Sequence, residues 1–249
     1  MRILCSNDDG VAAEGLAILV EVCARIGDVT CVAPDREQSA TSHSLTLSRP
    51  LRPVRRGERT WQVDGTPTDS VLLGLGALAG ARPDFVVSGI NHGPNMGEDV
   101  LYSGTVAAAM EGLAFGIPGV ALSFAGFDLA LIATYKDSVE RLLRQLLDAA
   151  RFPAETLLNV NLPPRPAADV RGVRVTTLGK RIYSESLSQM KDPWGRDIWW
   201  IGGGQLSWSG GEESDFKAIE DGFISVTPLH VDITDYQLLE TVRGWDLGV

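Results

Sequence analysis

The chain has few cysteines, three among its 249 residues. Cys5, Cys23 and Cys31 form no C-x-x-C pair, and their odd number leaves at least one outside any intramolecular disulfide. This pattern argues against a disulfide framework and favours a reducing compartment. We therefore expect a cytoplasmic location.

Long apolar runs are also missing. No segment approaches the ~18 consecutive apolar residues of a membrane-spanning helix. The first residues reach Asp8 and Asp9 before an apolar stretch of the length found in an export signal has accumulated. We expect neither export nor membrane insertion.

Positive charge is in deficit, with 22 Lys and Arg against 32 Asp and Glu and a formal net charge of -10. Tight binding to a nucleic-acid polymer depends on clustered cations, so such a stable partner is disfavoured. An acidic protein can still bind a single phosphate group, provided that a metal ion or a helix N-terminus supplies local positive charge.

Apolar segments of the first 172 residues alternate between strand-like and helical patterns. Residues 2–6 predict a buried strand, residues 15–26 an amphipathic helix and residues 29–33 a second strand. This order predicts a doubly wound, mostly parallel α/β sheet of the Rossmann-like kind. The same rhythm predicts helices near 69–78, 105–115 and 129–150, and strands at 84–88, 119–123 and 157–162.

The composition changes after about residue 172. We expect residues 1–172 to form the core with the functional site, and residues 173–249 to form an arm and a C-terminal oligomerisation segment within one structural unit. Strands are predicted at 173–178 and 223–228, with a short helix at the end of the chain. The Pro193-Trp194-Gly195 turn predicts a projecting β-hairpin.

Tryptophan is concentrated in the arm. Four of the six tryptophans lie there: Trp194, Trp199, Trp200 and Trp208. Exposed tryptophans on a hairpin favour a protein interface, whereas a local aromatic cluster would cover the edge of the core. The sequence leaves both interpretations open.

Two acidic residues, Asp8 and Asp9, directly follow the first predicted strand. The carboxyl ends of parallel strands are where ligand sites form. Adjacent carboxylates repel each other, and a hard divalent cation such as Mg²⁺ or Mn²⁺ would relieve that repulsion. The alternative is an ordinary turn, because Asn, Asp and Gly dominate turns in general.

A second polar loop, residues 88–97, follows another predicted strand. Asn91 and Asn95 offer amide oxygens to a metal or N–H donors to an anion. Shortly after it, Ser103-Gly104-Thr105 opens an apolar helix, where a hydroxyl, backbone N–H groups and the positive end of the helix dipole converge. This arrangement predicts a phosphate cradle, with simple helix capping as the alternative.

A third polar loop, residues 33–44, follows the second strand and belongs to the same edge of the sheet. The three histidines are His43, His92 and His230, and only the first two lie in these loops. A G-x-S-x-G elbow and a P-loop are absent. A loose dinucleotide fingerprint at residues 74–79 lies inside a helical pattern and carries no weight.

With these loops, the chain resembles the SurE family of stationary-phase survival phosphatases, which act on nucleoside monophosphates. The resemblance runs nearly end to end. It is carried by Asn7-Asp8-Asp9-Gly10, Ala33-Pro34-Asp35-Arg36, Gly65-Thr66-Pro67-Thr68-Asp69, Ser88-Gly89-Ile90-Asn91, Ser103-Gly104-Thr105 and Ser225-Val226-Thr227-Pro228. One departure is Ser42-His43, where the family commonly has Gly-His.

The resemblance implies a specific set of ligands. One divalent metal ion per subunit, Mg²⁺ or Mn²⁺, would be held by Asp8, Asp9, Ser39 and Asn91. The substrate phosphate would be held by Asn95, Ser103, Gly104 and Thr105. The resemblance also implies a homodimer or homotetramer in which the arm and an exchanged C-terminal segment join the subunits.

The predicted function is metal-dependent hydrolysis of nucleoside 5′-monophosphates, with 3′-monophosphates as further candidate substrates. Asp8 and Asp9 are the predicted catalytic residues, and His43, His92 and His230 are candidates for the acid, the base or a substrate contact. A covalent aspartyl mechanism is disfavoured because it needs aspartates two residues apart. A non-catalytic nucleotide sensor with the same phosphate cradle remains the alternative.

Overall fold

A computed structural model describes residues 1–148, 152, 156–183, 187–201 and 206–247. The strands are β1 (Arg2–Ser6), β2 (Asp28–Pro34), β3 (Pro53–Gly57), β4 (Thr60–Val63), β5 (Phe85–His92), β6 (Gly119–Phe124), β7 (Thr156–Leu162), β8 (Val173–Val175), β9 (Lys180–Tyr183), β10 (Leu187–Lys191), β11 (Asp197–Ile201), β12 (Leu206–Ser209) and β13 (Ile224–His230). The α-helices are α1 (Glu14–Ala24), α2 (Pro67–Leu73), α3 (Gly104–Ala114), α4 (Leu129–Thr134), α5 (Lys136–Leu146), α6 (Asp215–Glu220) and α7 (Tyr236–Arg243).

The central sheet has the strand order β3-β4-β2-β1-β5-β6-β7-β13-β8. Neighbours from β4 to β7 run parallel, as do β13 and β8, whereas β3 pairs with β4 and β13 with β7 in antiparallel fashion. The predicted mostly parallel α/β fold is therefore confirmed. Because β1, β2, β5 and β6 are parallel, the three polar loops that follow β1, β2 and β5 emerge at one edge.

Both faces of the sheet are covered, which is why its strands are so apolar. Successive side chains of β1 point to opposite faces. Ile3 and Cys5 pack in the cluster that includes α1 and α5, whereas Leu4 packs in the cluster that includes α2. No helix among the described residues combines the length and the apolar character needed to cross a bilayer.

Several predicted bounds differ from the structure. The predicted helix over 129–150 is divided into α4 and α5 at Tyr135, and residues 149–150 lie outside the described part. The break lets the buried Tyr135 ring pack edge-on against Phe124 and lets its hydroxyl donate to the carbonyl oxygen of Pro163 at 2.8 Å. The predicted strand over 173–178 ends at Val175.

The predicted hairpin is present as β10 and β11, which pair in antiparallel register. Its turn is held by Asp192, whose side chain accepts hydrogen bonds from the backbone N–H groups of Trp194 and Arg196. The tryptophans divide between the two interpretations. Three of them, Trp194, Trp199 and Trp200, are exposed, whereas Trp208 stacks on Phe216 with ring centroids 5.6 Å apart.

One buried carboxylate connects the start of the arm to the core. Asp215, with no exposed surface, accepts hydrogen bonds from the backbone N–H groups of Gly97, Gly179 and Phe216 at 2.8, 2.9 and 2.8 Å. These bonds join the segment before α3, the segment before β9 and α6. Burial raises the pKa of Asp215, and the three N–H donors oppose that rise.

Candidate active site

The polar loops meet in a cleft of about 790 Å³ at the carboxyl edge of the sheet. Its volume lies within the ~300–1,000 Å³ of small-molecule sites. Residues from all three loops line it, together with others that the sequence did not indicate. They are Asp8, Ser39, Ala40, Asn91, His92, Gly93, Pro94, Asn95, Asp99, Tyr102, Ser103, Phe127, Arg181 and Ile201.

Asp8 is buried at this cleft, at 4% exposure. Its carboxylate accepts a short hydrogen bond from the Thr105 hydroxyl. Burial raises the pKa of Asp8 to about 6; the Thr105 bond opposes the rise, and repulsion from Asp9 adds to it. Gly104 makes this approach possible, since a β-carbon there would lie 2.7 Å from the Asp8 Cβ.

Asp9 is less buried than Asp8, and among the described residues it is not one of those that line the cleft. Its Oδ2 atom accepts a hydrogen bond from the backbone N–H of His92 at 3.3 Å. Burial raises the pKa of Asp9, attraction to His92 opposes this, and repulsion from Glu37 adds to it. Glu37 also accepts a hydrogen bond from the Ser39 hydroxyl at 2.7 Å. No sequence pattern indicates a functional role for Glu37.

This donor set fits a divalent cation. In the described part of the chain, neither Asp8 nor Asp9 forms an ion pair with Lys or Arg, so their charge lacks a cationic side chain. No cluster of three or more His, Cys, Asp or Glu suited to a metal occurs among those residues either. A cation held here would need neutral oxygens beside the two carboxylates, and hard Mg²⁺ or Mn²⁺ accepts such ligands.

Asn91 and Ser39 supply neutral oxygens on the same cleft. The Asn91 amide nitrogen donates to the carbonyl oxygen of Gly93 at 2.9 Å, which leaves the amide oxygen to serve as an acceptor. A shift in the β5–β6 register between Ser88 and Asn91 precedes this residue. This register shift requires a glycine at position 89, because φ there is +126° and a β-carbon would lie 2.2 Å from the Leu122 carbonyl oxygen.

Asn95 is held by a buried network that the sequence reasoning missed. Its backbone N–H donates to Asn161 at 2.9 Å, and its carbonyl oxygen accepts from Asn159 and Asn161 at 2.8 and 3.0 Å. Its side-chain nitrogen donates to the Ser123 hydroxyl at 2.8 Å. The available signal was the presence of asparagines at 159 and 161 in an otherwise apolar strand, because buried polar groups need partners.

The N-terminus of α3 faces the cleft beside Asp8. Ser103 caps the helix by accepting a hydrogen bond from the backbone N–H of Val106 at 3.0 Å, which leaves its own hydroxyl proton to donate. The first backbone N–H groups of a helix, here those of Gly104 and Thr105, have no partner within the helix. The Thr105 hydroxyl is already engaged with Asp8.

The loop after β2 is fixed against the segment that precedes α3. Ser42 adopts a left-handed backbone with φ of 55°. Its backbone N–H donates to the Tyr102 carbonyl oxygen at 3.0 Å, and its hydroxyl donates to the Leu101 carbonyl oxygen at 2.7 Å. Glycine adopts this conformation most easily, and the two hydrogen bonds of Ser42 hold a serine in it.

The three histidines lie in two places. His92 lines the cleft, and its buried Nε2 atom has no hydrogen-bond partner among the described residues. His43 and His230 line a separate groove of about 260 Å³, where the Nε2 atom of His43 lies 2.7 Å from Glu111. His230 is remote because β13 runs antiparallel to β7 and places it opposite Thr156, at the amino end of β7.

Gly104 allows a direct test of this geometry. We expect Gly104→Ala to lower the free energy of unfolding by about 1–3 kcal/mol, because its β-carbon would crowd Asp8 and Pro67. Gly76→Ala is the matched control, since a β-carbon there meets nothing within 4 Å. Urea denaturation measures both changes. Equal stability of the two variants would contradict the close approach of Gly104 to Asp8.

Comparison with known proteins gives consistent matches. The family model "Survival protein SurE" matches residues 3–185. A protein of Gemmatimonas aurantiaca named 5′-nucleotidase SurE is 63% identical, with 98% of each chain covered. One of the same name from Vibrio cholerae is 46% identical over 98% of this chain and 97% of its own. The crystal structure of the SurE protein from Aquifex aeolicus superposes with a TM-score of 0.86 at 37% identity, covering 98% of both chains. This chain therefore belongs to the SurE family.

Proposed function

We propose that this protein is a metal-dependent phosphatase that hydrolyses nucleoside 5′-monophosphates to nucleosides and inorganic phosphate. The observation that carries the proposal is the pair of crowded carboxylates, Asp8 and Asp9, of which Asp8 lines the cleft and lies beside the N-terminus of α3. Paired carboxylates favour a bound cation, and a helix N-terminus favours a bound anion. Relatives named 5′-nucleotidase SurE support the choice of nucleotides as the substrate class.

Four side chains would hold one Mg²⁺ or Mn²⁺ ion per subunit: Asp8, Asp9, Ser39 and Asn91. When bound, such a cation neutralises charge on phosphoryl oxygens and lowers the pKa of water. Asp8 and Asp9 orient the attacking water, and one of them accepts its proton. The hydrogen bonds from Thr105 to Asp8 and from His92 to Asp9 hold the two carboxylates in place for these roles.

The phosphate group would be bound by the backbone N–H groups of Gly104 and Thr105, by the Ser103 hydroxyl and by Asn95. These donors are fixed before substrate binds, because Ser103 caps α3 and Asn95 is anchored to Asn161. Preorganised donors stabilise charge that develops in the transition state. They therefore contribute to turnover as well as to binding.

His92 is the candidate histidine that lies on the cleft, and because its Nε2 atom is buried, the proton for the leaving oxygen would come from Nδ1. His92 lines the cleft, whereas His43 and His230 lie in the other groove. His43 is also paired with Glu111. The proposed acid is therefore His92. The proposed substrates also include nucleoside 3′-monophosphates. The proposed location of the protein is the cytoplasm.

Release of inorganic phosphate tests the proposed activity. The substrates are a panel of 5′- and 3′-nucleoside monophosphates, assayed with Mn²⁺, with Mg²⁺ and after chelation. We expect release that depends on the metal and a loss of at least about hundredfold in kcat/KM for Asp8→Asn and Asp9→Asn, equivalent to about 2.7 kcal/mol of transition-state stabilisation. The exposed Asp197, on β11, provides the control Asp197→Asn.

Each contrary result has a distinct meaning. Nucleotide binding without phosphate release under any metal condition would favour the sensor. Metal-dependent release that persists in both Asp8→Asn and Asp9→Asn would show that the reaction uses a different site. If Asp197→Asn also loses activity, the losses in Asp8→Asn and Asp9→Asn cannot be assigned to the carboxylate pair.

We also propose that the arm and the C-terminal segment join subunits of a homodimer or homotetramer. The hairpin exposes Trp199 and Trp200, and α7 has no buried residue. A helix without a buried residue gains little from packing within its own chain, so a partner surface would stabilise it. In this assignment the proposed segment over 173–249 has two parts: β8 and β13 complete the central sheet, and the hairpin and α7 would contact the partner subunit.

Light scattering tests this assembly. We expect Trp199→Ser combined with Trp200→Ser to lower the molar mass, because burial of large apolar side chains drives association. Met190→Ser in the same hairpin is a control for loss of one smaller exposed apolar residue. A double variant with the mass of the unmodified protein would contradict the hairpin as an interface.

A further inference from the structure

Two aromatic side chains remain exposed on the wall of the cleft. Phe127 is 81% exposed and Tyr102 is 59% exposed, although both line the same cleft as Asp8 and Ser103. Large aromatic rings gain most from burial, so two uncovered rings beside a polar site point to a ligand that covers them.

Tyr102 belongs to a segment that carries proposed phosphate ligands, and Phe127, from the segment between β6 and α4, contacts the loop after β5. Tyr102 directly precedes Ser103, the cap of α3. The edge of the Phe127 ring lies against Gly93, where a β-carbon would meet its Cε1 atom at 3.3 Å. Gly93 lies midway between Asn91 and Asn95 in the chain. The aromatic wall is therefore continuous with the floor that would bind the phosphoryl group.

Local packing does not account for Phe127. It precedes Asp128, which caps α4 by accepting a hydrogen bond from the backbone N–H of Ala130. A residue in that position commonly packs on the fourth residue of the helix, here Ile132. Ile132 is fully buried while Phe127 remains 81% exposed, so the core is already covered without the Phe127 ring.

Three further side chains lie on the cleft outside the loops after β1, β2 and β5. Asp99 and Arg181 line it, and they form an ion pair with each other. Ile201, from the arm, adds an apolar side chain at the rim. The cleft of about 790 Å³ has room for more than a phosphate group.

From these observations we infer that Phe127 and Tyr102 form a stacking platform for the nucleobase of the substrate. The inference rests on the proposed function and adds what the phosphate cradle alone does not provide, namely preference for a nucleotide over a sugar phosphate. Stacking on an aromatic ring tolerates any base, because every base has a π-face. The platform therefore favours nucleotides as a class and distinguishes weakly among them.

The test compares 5′-AMP with ribose 5-phosphate, which has the same ester linkage and lacks the base. We expect Phe127→Ala and Tyr102→Ala each to lower kcat/KM for AMP about 5- to 150-fold, chiefly through KM. Activity on ribose 5-phosphate should change less than twofold. Tyr102→Phe keeps the ring and should retain activity on AMP. Phe115→Ala, at the other end of α3 and outside the cleft, is the matched control.

Two kinetic results would overturn the platform while leaving the phosphatase intact. One is an equal loss on AMP and on ribose 5-phosphate, which would mean that the variants disturb the phosphate site. The other is unchanged activity on AMP in both alanine variants.

A wild-type protein that releases no phosphate from either compound would instead overturn the proposed function. Calorimetric titration with adenosine then tests the platform by itself. Weaker binding of adenosine by Phe127→Ala and Tyr102→Ala than by wild type and Phe115→Ala would support it. Absence of adenosine binding, or equal binding by all four proteins, would overturn it.

Discussion

The crowding of two carboxylates at the end of β1 is the constraint on which the rest of the site depends. Asp8 is buried, and burial and Asp9 both disfavour its charge. Within the described residues, no Lys or Arg side chain forms an ion pair with either aspartate. The surroundings hold the pair in place through Thr105 and the backbone of His92. Such an arrangement is unfavourable alone and becomes favourable when a divalent cation binds.

The parallel sheet makes this crowding useful. The strands β1, β2, β5 and β6 end at one edge of the sheet. The two aspartates, the loops after β2 and β5 and the start of α3 therefore lie close together, and no long connection is needed to bring them there. Rigid elements hold each group: Ser103 caps α3, and Asn161 anchors Asn95. A fixed set of donors is what stabilisation of a transition state requires. The strand order thus brings the proposed catalytic and binding groups together.

Sequence patterns were sufficient for the parts of the site that follow strands. Asp8, Asn91 and Ser103 are predicted to meet because parallel strands share an edge, and the structure places all three on one cleft. The hairpin of β3 and β4 is missed because every residue of β3 is exposed, which removes the apolar alternation that indicates a strand. Phe127 is missed for another reason: only tertiary structure shows that its ring leaves the core and joins the cleft.

The most direct test of the account is thermal unfolding of the wild-type protein and of Asp8→Asn at pH 8, above the raised pKa of about 6 of Asp8, with and without Mn²⁺. Without metal, the variant should unfold at the higher temperature because repulsion between the carboxylates is relieved. Mn²⁺ should raise the midpoint of the wild type far more than that of the variant. A variant that is less stable without metal, and that gains as much from Mn²⁺ as the wild type does, would contradict the account.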